Sequence, residues 1–84
     1  MTEKDLIELE FTRNDETTES SGAPNDWHYY TYDIGNFSLI SPGNDEVEND
    51  EWFVEVFNSP EIIFTSYTEL SILLTLLKSN YIEI

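Results

Sequence analysis

Apolar and polar positions alternate in several short segments of this chain, and the period becomes helical once, near the C-terminal end. In residues 6–12, Ile7, Leu9 and Phe11 fall on one side at period two and Glu8 and Glu10 on the other, which predicts a half-buried strand. Residues 13–26 show no apolar period and mix Gly22 and Pro24 with Thr, Ser and acids, predicting a long flexible acidic loop. Residues 28–34 and 37–40 are rich in aromatic and β-branched side chains and are separated by Gly35-Asn36. That pair predicts a type II′ hairpin, because glycine supplies the positive φ of the first turn position. Ser41-Pro42-Gly43-Asn44 carries a type II turn signature, with Gly43 expected in the left-handed region. An acidic loop at 45–51 leads into a strand at 52–57, where Trp52, Val54 and Val56 share one face and Phe53, Glu55 and Phe57 the other. Asn58-Ser59-Pro60 then turns the chain into a short strand at 61–65.

The period becomes helical at Ser66. Ser66-Tyr67-Thr68-Glu69 reads as a capping box, and Leu70, Leu73, Leu74 and Leu77 recur at i, i+3, i+4 and i+7, with Ile72 and Leu76 widening the stripe. Lys78 complements the macrodipole and Asn80 is expected to stop the helix in a left-handed conformation, giving a helix over 66–80. The alternating tail 81–84 is expected either to add an edge strand or to lie on the surface. The fold class that follows is α+β: an antiparallel meander of four to five strands packed on one C-terminal α-helix, as a single small domain over 1–84.

Charge changes the picture most. The 84 residues hold 18 Asp and Glu against three Lys and Arg, one His and no Cys, a formal charge of −15. Without cysteine there is no disulfide framework, thiolate nucleophile or Cys-ligated metal. With Lys4, Arg13 and Lys78 as the only basic side chains, direct binding to nucleic acid or to an anionic membrane is disfavoured, so the expected partner is a basic protein. The start of the chain carries no secretory pattern and no apolar stretch reaches the ~20 residues of a membrane span, so a cytoplasmic location is expected. Whether the chain is a monomer or a homodimer is left open. Self-repulsion among the acids predicts a stability that rises with added salt.

Candidate chemistry is sparse. His28 is the one imidazole and reads as a structural residue at a strand end beside Trp27. Paired carboxylates need a cleft that raises one pKa, and a domain with so little interior offers none, so no enzyme activity and no cofactor are expected. The 45–51 run lacks the spacing of a calcium loop: Val47 interrupts a frame starting at Asp45, and no glycine takes the sixth position of the neighbouring frames. Gly22, Gly35 and Gly43 are isolated in turns and cradle no phosphate. The aromatic run Trp27, Tyr29, Tyr30, Tyr32 reads as alternate residues facing the helix and the remainder covering the second sheet face, with a protein interface as the other reading.

What remains is the surplus of acids, all but Glu61, Glu69 and Glu83 lying within residues 3–55. Solubility of a small domain needs a net charge of only ~2 to 8. Acids two apart on a strand, such as Glu8 and Glu10, would stand ~6.6 Å apart, about two phosphate steps along DNA. In size, charge and mixed sheet and helix plan the chain resembles the small acidic phage-type inhibitors that imitate DNA, among them anti-CRISPR proteins and uracil-DNA glycosylase inhibitors; no residue motif is shared. The resemblance implies a stoichiometric, non-enzymatic blocker of the basic groove of a nucleic-acid-binding enzyme. Candidate contact residues are Asp45, Glu46, Glu48, Asp50 and Glu51, with Glu8, Glu10, Asp15, Glu16 and Glu19 as a second patch and Trp52 as an apolar anchor if its ring is exposed. Two alternatives use the same composition: an immunity protein or antitoxin for a basic nuclease toxin, and an acidic protein–protein adaptor that binds through an exposed aromatic patch.

Overall fold

The computed structural model describes residues 1–22 and 25–82. Its elements are α1 (Glu3–Glu8), β1 (Thr12–Glu16), α2 (Thr18–Ser21), β2 (Trp27–Ile34), β3 (Phe37–Ile40), β4 (Val54–Val56), β5 (Ser59–Phe64) and α3 (Tyr67–Asn80). The five strands form one antiparallel sheet in the order β1-β2-β3-β4-β5, so every strand pairs with its neighbour in sequence. This is the expected α+β meander closed by a C-terminal helix, with a short N-terminal helix added.

That added helix is the main correction. The strand expected over 6–12 does not form, and only Thr12 of it is in a strand, as the first residue of β1, because Thr2 and Asp5 form a reciprocal capping box that starts α1: the Asp5 amide donates to Thr2 Oγ1 and the Thr2 amide to Asp5 Oδ2. The helix ends in a Schellman arrangement, with the Phe11 amide donating to Leu6 O and the Glu10 amide to Ile7 O. Glu10 takes the left-handed position at φ 67°, where glycine is the usual occupant. Leu6 and Phe11 become buried while Ile7 is left exposed. Consequently the first strand lies in the segment read as a loop. Thr12–Glu16 contains no apolar residue and qualifies as a strand through its pairing with β2, from Thr12 opposite Thr31 to Glu16 opposite Trp27. Ala23 and Pro24 of that predicted loop lie outside the described residues, as do Glu83 and Ile84 of the predicted tail strand; Tyr81 and Ile82 form no strand.

Elsewhere the local rules hold with smaller departures. Gly35 has φ 59° and Asn36 is not among the positive-φ residues, as a type II′ turn requires. Gly43 is not left-handed, so the type II expectation fails there. Glycine is needed for space instead: an added Cβ would stand 2.8 Å from the Trp27 ring and 2.6 Å from Asp45 Oδ1. Helix α3 starts where expected, with the Glu69 amide donating to Ser66 Oγ, and runs through Asn80, which is helical rather than a left-handed stop. The β4–β5 register shifts at Glu55/Val56, and Val56 pairs with Ser59 across a two-residue turn. Strand β5 is a sheet edge and carries Pro60, a residue without a backbone donor that sheets tolerate at their edges.

Leu6 of α1, Tyr30, Leu39 and Val54 of the sheet, and Leu70 and Leu74 of α3 belong to one buried cluster with Phe11 and Trp52, so both helices cover the same sheet face. On α3, Ile72 and Leu76 are each 56% exposed, so the apolar stripe is narrower than its sequence implies.

Candidate functional site

A meander places its first and third connections at one end of the sheet and its second and fourth at the other. The first, between β1 and β2, carries Glu19 and Asp26; the third, between β3 and β4, carries Asp45, Glu46, Glu48, Asp50 and Glu51. Asp15 and Glu16 end β1 beside them, while the two turns at the opposite end, Gly35-Asn36 and Phe57-Asn58, carry no acid. The fold therefore gathers the acids of two separate segments at one end.

The third connection is tied down along its length. The Asn44 amide donates to His28 O at 2.8 Å, and the His28 amide to Asn44 Oδ1 at 2.7 Å. The Glu46 amide donates to Gly43 O, and the Glu51 amide to Glu48 O. Asn49 and Asp50, at φ 55° and 54°, occupy the two central positions of that second turn, the pattern of type I′. Val47 packs against the core, and the Trp52 amide donates to Met1 O at 2.7 Å. The five acids remain exposed around this framework. Asp50 has a second task, since its Oδ1 accepts from the Glu3 amide in the first turn of α1. In the first connection the Thr18 amide donates to Asp26 Oδ1 at 2.9 Å.

The second predicted patch is not brought together. Asp15, Glu16 and Glu19 join the acidic end, and Asp15 pairs with Arg13 at 2.9 Å. Glu8 and Glu10 lie apart from it, beside Ser71, Thr75 and Lys78 along one side of α3. Glu8 closes α1 and Glu10 follows its cap, so the strand spacing expected for the two does not exist. Trp52 is corrected too. The residue is 4% exposed, its ring stacked at 6.1 Å on His28 and edge-on at 5.5 Å to Tyr30, and it serves the core rather than a partner.

His28 belongs to a network that fastens α1 to the sheet. Its Nε2 lies 2.6 Å from Glu3 Oε2, which also accepts from the Tyr30 hydroxyl at 2.7 Å. Burial pushes the Glu3 carboxyl up, but the hydrogen bonds from Tyr30 and His28 and the nearby positive charge outweigh it, and the group titrates below its ordinary value. Burial and the carboxylate it faces push the Tyr30 hydroxyl up to about 12. The Ser41 hydroxyl, the serine nearest this network along the strands, accepts from the Tyr30 amide and donates to Pro42 O. Among the described residues no buried side-chain nitrogen or oxygen lacks a partner, and no three His, Asp or Glu side chains converge as metal ligands. Among the same residues no helix is long and apolar enough to cross a membrane.

The sheet face away from the helices carries a feature that charge counting alone does not reveal. Trp27 and Tyr29 of β2, Ile40 of β3 and Phe53 just before β4 line an open trough of about 730 Å³, with Glu16, Glu46 and Glu55 on its sides. That volume falls within the ~300 to 1,000 Å³ range of ligand sites. Period two already assigned alternate aromatics of β2 to this face. The approach of Glu46 from the third connection depends on the turn at Gly43, whose left-handed reading was wrong.

No family model, curated protein or solved structure matches the chain.

Proposed function

We propose that this chain is a non-enzymatic acidic binding protein that docks its charged end on the basic nucleic-acid-binding surface of another protein and blocks it, as DNA-mimic inhibitors do. The observation that carries the reading is the gathering of two acidic connections at one end of the sheet, one of them held by hydrogen bonds along its length. Fixed anions present a basic groove with charge that costs little ordering on binding, and the net charge of −15 steers the encounter over distances of a Debye length. A cognate nuclease toxin is one member of the partner class.

The test is competition. The immobilised chain, exposed to a cell lysate at about 0.05 M salt, should retain nucleic-acid-binding proteins that are released by added duplex DNA and by about 0.3 M salt. Lysine substitutions at Glu19, Glu48 and Glu51 should weaken capture at least about tenfold. Substitutions at Glu8, Glu10 and Glu61, which bring the chain to the same net charge, should change it less than about threefold. Equal losses from the two triple variants, or a retained set that DNA does not release, would overturn the reading.

A further inference from the structure

We propose that the trough on the outer sheet face is a receptor for one arginine side chain of the basic partner. The identity of that partner rests on the reading above; the chemistry of the trough stands on its own residues.

Its walls come from two strands with a third between them. Trp27 and Tyr29 rise from β2, their ring centroids 5.4 Å apart and their planes inclined by 30°. Phe53 rises beside β4, and Ile40 of β3 lies between as the floor, since the register sets Ile40 opposite Thr31 on one side and Glu55 on the other. Strands two apart in a sheet are separated by ~9.5 Å, which admits one slim chain with a flat head and excludes a bulky one. Glu46 and Glu55 stand along the same trough.

Aromatic faces and carboxylates together select a cation, because the ring quadrupole and the anions both attract positive charge. The shape then selects among cations. A quaternary ammonium is held by a closed box of rings, whereas this trough is open, with Trp27 and Tyr29 inclined to one another on one wall and Phe53 on the other. A guanidinium is planar, stacks on an aromatic face, and still directs N–H groups in its own plane toward carboxylates; a lysine ammonium is attracted by the same groups but has no flat face to stack and no fixed fork of donors. The trough is also oriented for this use. Its Glu46 side belongs to the acidic connection, so a groove steered onto the charged end meets the trough at the edge of the contact. Gly43 lets the Trp27 wall stand where it does, because the ring packs where a side chain at that position would be.

The experiment is a titration of the intact chain, followed by NMR, with three tripeptides blocked at both ends: Gly-Arg-Gly, Gly-Lys-Gly and Gly-citrulline-Gly. The arginine peptide should shift the Trp27 indole N–H and the Ile40 and Phe53 amides. The lysine peptide should bind at least about threefold more weakly, and the neutral citrulline peptide should leave these signals in place. Trp27→Leu keeps an apolar wall and removes most of the π-face; it should cut arginine-peptide affinity about threefold to tenfold, as should Glu55→Gln, a milder change that guards against misfolding of the first variant. Equal binding of citrulline, or shifts at Glu48–Glu51 that Trp27→Leu and Glu55→Gln leave unchanged, would overturn the proposal. Failure here with intact DNA-releasable capture removes the arginine site and leaves the blocking role standing. Peptide binding with equal losses from the two triple variants does the reverse.

Discussion

Glu10 offers the cleanest measurement of what the N-terminal helix costs to end. It occupies the left-handed position of the Schellman motif at φ 67°. A side chain with a Cβ pays ~1 to 2 kcal/mol in that region, while glycine pays none of this but gives up ~0.5 to 1 kcal/mol more chain entropy on folding. Glu10→Gly should therefore stabilise the protein by ~0.5 to 1 kcal/mol. The charge is a separate effect. Glu10 Oε2 lies 4.0 Å from Lys78 Nζ with both side chains largely exposed, a contact worth close to nothing. Glu10→Ala removes the same charge and keeps the Cβ, so the difference between the two variants isolates the backbone. Urea unfolding followed by circular dichroism at constant salt should show equal slopes and a higher midpoint for the glycine variant. Its Tm should exceed that of the alanine variant by about 2 to 8 °C for a domain of this size. An alanine variant as stable as the glycine one would refute the reasoning, because it would mean that residue 10 is not held left-handed in solution.

Other outcomes follow from features already described. Titration followed by tyrosinate absorbance should show the Tyr30 hydroxyl ionising at about 12, and Glu3→Gln should bring it part of the way back toward 10.0, leaving the share due to burial. Because the folded value is the raised one, the stability linked to Tyr30 is complete below 10.0 and lost as pH climbs through about 12; Tyr30→Phe should abolish that alkaline branch. The Tm should rise between about 0.05 and 0.5 M NaCl as screening shortens the reach of the surplus acids, and a fall would contradict the charge argument. Gly43→Ala should cost about 1 to 3 kcal/mol, since Asp45 can swing away from the new methyl but the Trp27 ring must tilt. The Trp27 indole resonance should move with it, and an unmoved signal would mean that the ring does not rest on residue 43.

The parts of the fold that were legible share a cause. The β2–β3 hairpin and α3 each carry a period, a turn or cap residue and a length that agree with one another. The N-terminal segment carried two signals in conflict. Ile7, Leu9 and Phe11 alternate, yet Leu6 and Leu9 also stand one helical turn apart, and Thr2 with Asp5 forms a capping box whose third helical residue is the shorter acid, Asp rather than Glu. Phe11 belongs to the alternation only because the chain has already left the helix when it reaches the core. Strand β1 was illegible for a different reason. An edge strand of Thr, Arg, Asn, Asp and Glu owes its existence to the aromatic strand beside it, and Asn14 Nδ2 bonding to Thr31 Oγ1 is a tertiary fact. At the candidate site, the acidic connection was visible as composition, whereas its union with Glu16, Glu19 and Asp26 required only a rule about connections in meanders. The burial of Trp52 was beyond the pattern, because both faces of strand 52–57 offer apolar side chains and periodicity does not say which one the helices cover.

The neighbour-to-neighbour order of the strands has a kinetic consequence. No pairing must wait for a distant segment to be found, so the sheet can zip outward from the Gly35 turn, and α1 and α3 settle onto a surface already assembled. The main phase of stopped-flow refolding should be complete within milliseconds, apart from a minor slow fraction set by isomerisation at the three prolines; a main phase lasting seconds that prolyl isomerase does not accelerate would show that docking of the helices, rather than strand order, sets the pace. The blocking role proposed above would gain from such speed, since its usefulness begins when the first copies leave the ribosome folded.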